Sequence, residues 1–411
     1  MSDDFKVLII GGGLGGLALA QALRKHGIAY EIFERDLAWD SRNQGWALSL
    51  HWILEDLLGQ TPDDMPSFDH VSLGYEHGME AEFAYFNAFT GEEQMRLSHS
   101  KEKPFLRSDR SKVRLWLMHK LDIQWNKHFI RYTEDSDGVT AYFEDGTSAK
   151  GSLLVGADGV NSKVRDQLMV GSGLKPRIIP LGNITSLVEL PKEKYTKQLE
   201  LGRSFFLAHS PNHRLFVGFR HFSKDEETAS FYWRLSWYDK ETQNEPYWTA
   251  TASPEELMEY AREKTKDFFP LLTETLRATP PSGVVVPSLT FWDMLPIPLP
   301  TGRVTLLGDG IHPMSPFRGE GANFAMKDGL SLGQYLAERK NGETIPELLK
   351  RYESEMLIRG SGGVLKSRAA AEDHVKESDE ADKRHNGDNS WLTARIKKQA
   401  GDQGFKRVVK D

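Results

Sequence analysis

Apolar positions along the chain change rhythm repeatedly, and each change marks an element. Phe5 to Ile10 is a short, nearly continuous apolar run ending in glycine, as in a parallel strand buried on both faces. A helical period follows over about Leu14 to His26, Gly27 suits a left-handed cap, and Ala29 to Phe33 returns as a second strand. Val113 to Leu121 is helical. Trp125 to Tyr132 and Val139 to Phe143, spaced by Ser136-Asp137-Gly138 and followed by Glu144-Asp145-Gly146, read as strand, turn, strand, turn. Ser152 to Val155 is another buried run, and Ser162 is placed to cap a short helix after it. Ile178 to Leu190, Ser204 to His209, Arg214 to Phe219 and Phe231 to Trp237 read as four strands, with Phe83 to Phe89 as an earlier one. The aromatic alternation from Phe231 to Tyr238 fits sheet packing better than a substrate cage. Pro254 to Phe268 is a charged amphipathic helix, and Arg303 to Leu307 is a strand that again stops at glycine. From about Ile345 the chain is helical and charged. A pair is predicted over Glu353 to Lys366 and Ala369 to Lys383, then a break at Asn386-Gly387-Asp388 and a further helix from Trp391 to Gln399.

The three glycine stops carry the chemistry. In Gly11-Gly12-Gly13-Leu14-Gly15-Gly16 the spacing Gly11-x-Gly13-x-x-Gly16 gives a tight turn, a bare backbone for a pyrophosphate, and close packing of the next helix. The helix start places amides and a dipole on the phosphates. Glu34 follows 18 positions after Gly16, near the spacing at which a carboxylate reaches a ribose diol, and its charge favours an unphosphorylated ribose. This motif alone does not separate FAD from NAD. The second stop is Gly156-Ala157-Asp158-Gly159, which by itself reads better as an Asp-Gly turn after a strand. The third, Gly308-Asp309, runs into His312-Pro313-Met314-Ser315-Pro316 and then Gly319-Glu320-Gly321-Ala322-Asn323 at the start of a helix. Ala322, Ala325, Gly329 and Gly333 recur on one face of that helix, suiting close packing. A carboxylate after the strand and amides at the helix start meet the needs of a ribityl chain and a reduced isoalloxazine.

Composition admits an enzyme and removes several alternatives. With 411 residues, 39% hydrophobic and 27% charged, the chain is long enough for two to three ordinary domains. A net charge of -7 gives no reason to expect nucleic acid or an acidic membrane as partner. No cysteine is present, which excludes disulfides, Cys-ligated metals, thiol catalysis and flavin attachment through sulfur. An acidic start running directly into a strand is read as lacking a signal peptide, no apolar run reaches membrane-span length, and a cytoplasmic enzyme is expected.

The combined motifs resemble the single-component class A FAD-dependent monooxygenases, the aromatic hydroxylase type, over nearly the whole chain. The resemblance rests on the glycine fingerprint, Leu106-Arg107-Ser108-Asp109-Arg110 before a helix, Asp158-Gly159, and Gly308-Asp309 with Gly319 to Asn323. Within that family it is similar to the branch of tetracycline-inactivating monooxygenases and their fungal secondary-metabolite relatives. That closer likeness rests on Glu34-Arg35-Asp36, on Arg42, on Gly45-Trp46-Ala47-Leu48-Ser49-Leu50-His51, and on the compact Pro211-Asn212 hairpin. It implies an α/β fold: a Rossmann-type FAD-binding domain with an inserted antiparallel-sheet substrate domain and C-terminal helices. The expected boundaries are 1–75, 106–175 and 286–345 for the FAD-binding parts, 76–105 and 176–285 for the substrate domain, and 346–411 for the helical region.

Residue by residue, the resemblance places Gly11, Gly13, Leu14, Gly15, Glu34 and Arg35 at the adenosine and phosphate half of FAD. Arg110 falls at the flavin, Asp309 at the ribityl chain, and Gly321, Ala322 and Asn323 near the pyrimidine edge, while Asp158 is a further cofactor-binding residue. Arg42 matches a position for nicotinamide-nucleotide contact, and Arg203 a substrate-binding arginine. Ser49 stands where the branch has a carboxylate, which leaves a backbone contact from Ala47 or Ser49. Glu320 replaces the usual glutamine. His51 and His77 are acid-base candidates through their near-neutral pKa.

The implied reaction uses NAD(P)H and O2 to hydroxylate or epoxidise a planar, aromatic or polycyclic small molecule through a flavin hydroperoxide, without a protein general base that the sequence singles out. Two other readings stay open at this stage. One is a different flavin oxidoreductase of the same fold, a reductase or a halogenase, although the halogenase motif Trp-x-Trp-x-Ile-Pro is absent. The other is a flavin-free binding protein.

Overall fold

The structure is a computed structural model and describes residues 5–41, 46–100, 106–244 and 246–381. Among these, five strands form a wholly parallel sheet in the spatial order Val304–Leu306, Leu153–Gly156, Lys6–Ile10, Ala29–Phe33 and Ile123–Gln124. Val7, Leu8 and Ile9 are fully buried, as are Leu153, Leu154 and Val155, because helices or a second sheet cover both faces. All three glycine stops therefore fall at the carboxyl ends of neighbouring strands, where open α/β sheets bind ligands.

The helix Leu14–Lys25 packs against the helix Gly321–Ala337. The expected small-residue face makes that contact. A Cβ on Gly329 would stand 2.4 Å from the Gly15 carbonyl oxygen, and one on Gly333 would stand 2.4 Å from Ala22 Cβ. Side chains at either position would force the two helices apart.

The second large sheet has six strands, ordered Leu181–Pro191, Thr228–Tyr238, His213–Phe222, Phe205–His209, Glu82–Asn87 and Glu93–Ser98. Neighbours are antiparallel except Phe205–His209 beside Glu82–Asn87, which run parallel. Its period-2 pattern divides two environments. Phe206, Leu215, Val217, Phe231, Trp233 and Leu235 pack in one core with Leu257, Met258 and Ala261 of the helix Pro254–Lys264. The intervening residues face the nucleotide-binding half. That helix begins with a reciprocal capping box between Ser253 and Glu256.

The strand expected over Trp125 to Tyr132 is two, Ile123–Gln124 in the parallel sheet and Phe129–Glu134 in a three-stranded one. Two helices also require correction. The predicted C-terminal pair is one continuous helix, Ile345–Ala381, because Ser367 and Arg368 do not break it. Two of its glycines serve packing: a Cβ on Gly360 would lie 2.5 Å from His312 Cδ2, and one on Gly363 would lie 2.7 Å from Phe324 Cζ. The break at Asn386-Gly387-Asp388 and the helix after it lie outside the described residues. The helix predicted over Val113 to Leu121 runs instead from Arg110 to Leu117, capped by the Asp109 carboxylate, which accepts from the Ser111 amide at 2.7 Å.

Candidate active site

The first glycine loop lines a cavity of about 320 Å³ together with Glu34, Arg35, Arg110, Asp158 and Lys163. Each glycine in it has a separate task. Gly11 has φ +115°, and a Cβ there would sit 2.3 Å from the Ala157 carbonyl oxygen, so the first and second signatures touch backbone to backbone. A Cβ on Gly16 would meet the Gly11 carbonyl at 2.1 Å. Gly13 faces open space, and the helix that follows has no side-chain cap, so its first amides are available to a phosphate. The buried Glu34 carboxylate accepts from the Gly12 amide at 2.7 Å and from the Asp36 amide at 3.0 Å, which fixes it beside the loop. An uncapped helix start, a loop bare of side chains and a fixed carboxylate fit a dinucleotide pyrophosphate and ribose.

The third signature is held from behind by a buried polar chain. Asp328 accepts from the Gly308 amide at 2.9 Å, from His312 Nε2 at 2.6 Å and from Arg359 at 2.9 Å. Burial alone pushes the His312 imidazolium down, but Asp328 more than offsets this and holds it above the ordinary value. Arg359 belongs to the C-terminal helix, as does Ser367, whose carbonyl accepts from the Ser315 hydroxyl at 2.9 Å. The long helix thereby braces the loop. Asp309 is surrounded by protein yet open to a solvent probe, which is the situation of a group at the bottom of a crevice. Crowding raises its carboxyl above the usual range, with His312 and Arg110 opposing the rise and Asp328 adding to it. A Cβ on Gly321 would be 3.9 Å from Asp309 Oδ1, so this carboxylate stands beside the start of the helix Gly321–Ala337, which has no side-chain cap. Asn323, fully buried, donates to the Ser49 carbonyl at 2.9 Å and ties the helix start to the strand Ala47–Leu50.

A second cavity of about 250 Å³ lies under the six-stranded sheet. Phe83 and Tyr85, Phe205 and Leu207, Phe216, and Tyr232 with Arg234 line it from successive strands, and Ala47, Ser49 and His51 line it with Pro316 to Gly319 from the nucleotide-binding half. Gly218 makes room for two of the rings: a Cβ there would stand 2.6 Å from the Tyr232 ring and 2.9 Å from Phe216. The aromatic stretch expected only to pack the sheet thus divides by parity, with Phe231 and Trp233 in the core and Tyr232 and Arg234 in the cavity. Arg107, buried, donates to Ser49 Oγ at 2.9 Å and to the Tyr232 hydroxyl at 2.7 Å, which links the halves across the cavity. Glu320, also buried, pairs with Arg318 at 3.0 Å and lies 3.6 Å from His51 Nε2. Burial pushes its carboxyl up, but His51 and Arg318 together hold it below the ordinary value.

Most of the residues expected at the site converge. Gly11, Gly13, Glu34, Arg35, Arg110 and Asp158 meet at the first cavity, and Ala47 and Ser49 at the second. Asp158 also caps a turn by accepting from Ser162 and from the Val164 amide. Leu14 and Gly15 are buried at the helix start, where Gly15 lets Leu307 and Ala325 approach. Arg42 lies outside the described residues. Arg203 does not reach the cavity. It sits in the turn before Phe205–His209, and its guanidinium pairs with Glu82 at 3.1 Å. His77 is 3.1 Å from Glu226, outside both cavities. Sequence reasoning missed Arg114, which donates to the Gly12 carbonyl at 3.0 Å, and Arg165, which donates to the Val160 carbonyl at 2.8 Å. Both bond backbone carbonyls and carry no motif of their own.

Residues 71–364 match a family model described as FAD binding domain, and residues 9–37 match one described as NAD(P)-binding Rossmann-like domain. The chain belongs to the class A FAD-dependent monooxygenases. It is 40% identical over 376 residues to the FAD-dependent monooxygenase thnD of Trichoderma harzianum, an alignment covering 88% of this chain and 92% of the relative. The solved structure of Klebsiella pneumoniae HpxO with FAD and uric acid superposes with a TM-score of 0.73 at 22% identity, covering 98% of this chain and 94% of that one. The tetracycline destructase Tet(55) shares the fold with a TM-score of 0.67 at 17% identity, covering 100% of both chains. Among the described residues, no helix is long and apolar enough to cross a membrane.

Proposed function

We propose that this FAD-dependent monooxygenase uses NAD(P)H and O2 to hydroxylate or epoxidise a planar aromatic or polycyclic small molecule, in the cytoplasm and within secondary metabolism. The observation that carries this reading is the cavity under the sheet, lined by Phe83, Tyr85, Phe205, Phe216 and Tyr232 and bounded on the other side by Ala47, Ser49 and the loop Pro316 to Gly319. Its aromatic walls suit a flat ring system.

When bound, FAD would supply the redox chemistry, with NAD(P)H as the source of two electrons and O2 as the source of the oxygen atom, its other atom leaving as water. The chain's own residues bind, orient and exclude water. Gly11 to Gly16 and the helix start would hold the pyrophosphate, Glu34 and Arg35 the adenosine side, and Asp309 with Arg110 the ribityl and ring side. Asn323 fixes the strand carrying Ala47 and Ser49 against the helix start. Arg107, through Tyr232 and Ser49, sets the distance between the sheet and the nucleotide-binding half. His51 lines the cavity with its Nε2 turned toward Glu320, 3.6 Å away. The apolar walls keep water from the reacting atoms.

The test is a visible spectrum of the purified protein, followed by aerobic NADH or NADPH oxidation with a panel of phenolic and polycyclic compounds. A yellow protein whose nicotinamide oxidation is stimulated by a compound that becomes heavier by one oxygen atom is the expected result. Stimulated oxidation with no oxygenated product from any compound counts against the reading.

A further inference from the structure

The polar groups in the second cavity are unevenly charged. Four arginines line it, Arg107, Arg214, Arg234 and Arg318, and among the described residues no aspartate or glutamate does. Arg318 has its counter-charge in Glu320 behind the wall. Arg107 and Arg234 do not. Arg107 is buried, and its hydrogen bonds go to the hydroxyls of Ser49 and Tyr232. Its Nε, also buried, has no hydrogen-bond partner among the described residues. Arg234 donates from Nε to the Thr185 hydroxyl at 3.2 Å. Among the described residues, neither guanidinium forms an ion pair with a carboxylate.

Burying a cation against neutral oxygens is unfavourable unless something restores the counter-charge. Aromatic contacts restore part of it. Arg107 lies over the Phe205 ring, 4.9 Å from its centroid, and Arg234 over Phe291 at 5.2 Å. Burial still weakens protonation of Arg234, with Tyr232 opposing that effect. The two residues approach from different halves: Arg107 is on the strand Leu106–Asp109, paired with Ala47–Leu50, and Arg234 is on the sheet, in register with Phe216. A planar fork is suited to an acidic oxygen pair or a single oxyanion.

We propose that the cavity takes its aromatic substrate as an anion, carrying an ionised carboxyl or phenol oxygen, with Arg107 and Arg234 as the residues that select for that charge. This rests on the monooxygenase reading for the identity of the cavity. The charge selection itself is measurable without turnover.

The experiment is calorimetric titration of the FAD-loaded protein with two matched pairs: 2-naphthoate against its methyl ester, and 4-nitrophenol against 4-nitroanisole. The first pair reads carboxylate recognition. The second reads phenolate recognition, because 4-nitrophenol ionises near neutral pH and its colour reports the bound form. At least one anion is expected to bind about tenfold or more tightly than its neutral partner. Arg234→Gln is expected to remove most of that preference while leaving the neutral partner's affinity within about threefold, Arg234→Lys to restore part of it, and Arg107→Gln, which also breaks the link between the halves, to remove most of the preference together with some affinity for both partners. Neutral partners that bind as well as both anions, failure of both anions to bind, or a preference that survives both glutamine substitutions would overturn the proposal. The visible spectrum keeps the two readings apart. A protein that never holds FAD yet selects the anion strikes the redox reading alone, and a yellow protein indifferent to charge strikes this one alone.

Discussion

Gly11 and Gly13 sit two positions apart in one motif and are glycine for opposite reasons. At Gly11 the fold requires it, through a positive φ and a backbone 2.3 Å from where a Cβ would stand. At Gly13 the fold would admit a side chain, and on the proposed reading it is the pyrophosphate that would not. Gly11→Ala is therefore expected to lower the stability of the apoprotein itself, by about 1–3 kcal/mol. Gly13→Val is expected to leave apoprotein melting unchanged and weaken FAD by about tenfold or more. Thermal melts of both apoproteins, alongside FAD titration followed by flavin fluorescence, separate the two effects. Equal losses of melting temperature in both would contradict the assignment. At this scale the sequence is informative wherever spacing alone fixes a position, as with Glu34 beside Gly12. It was uninformative for Arg114 and Arg165, whose partners are carbonyls more than a hundred residues away or within a turn. It misdirected for Arg203, whose turn conformation sends the guanidinium to Glu82.

Among the elements, the parallel strands and their helices were legible because continuous apolar runs and glycine stops coincide. The edge strand Glu93–Ser98 was not singled out. Its alternation is short, only Met95 and Leu97 between Gln94, Arg96 and Ser98, and it pairs where Asn87 turns the chain by accepting from the amides of Phe89 and Thr90. The C-terminal helix was split in two on paper because its charge pattern hides the packing that spans it. Glu353 shows what that packing does to chemistry. The Thr305 hydroxyl on the central sheet donates to it at 2.8 Å, and burial pushes the Glu353 carboxyl up to about 7. A carboxyl raised on folding contributes stability that is full below its ordinary value of 4.5 and is lost as pH rises through about 7. Glu353→Gln keeps an acceptor for Thr305 and removes the titration. Between about pH 5 and pH 8 the variant is expected to gain on the wild type by on the order of 1–3 kcal/mol. Melting temperature against pH for both proteins checks this, and parallel curves would contradict it.

Across the whole molecule, the two halves meet where their patterns predict open faces: strand ends on one side, the alternate face of a sheet on the other. The order of the three glycine signatures made the FAD-binding half readable from the chain. The second cavity was not readable to the same degree. Parity along Thr228–Tyr238 separates Trp233 from Tyr232 and Arg234, but only the packing of Pro254–Lys264 on one face decides which set is left to line the cavity. Likewise, the charge of the cavity emerges only when Arg107 from one half and Arg234 from the other are seen together, with no carboxylate among the described residues that line it.

The central claim is that this cavity delivers one atom of dioxygen to a bound aromatic molecule. Its most direct test uses the compound that best stimulates nicotinamide oxidation, turned over under isotopically labelled dioxygen in unlabelled water, with the product analysed by mass spectrometry. The account predicts one labelled oxygen atom per product molecule. Label confined to peroxide and water, with the organic compound unlabelled or oxygenated from solvent, would contradict it.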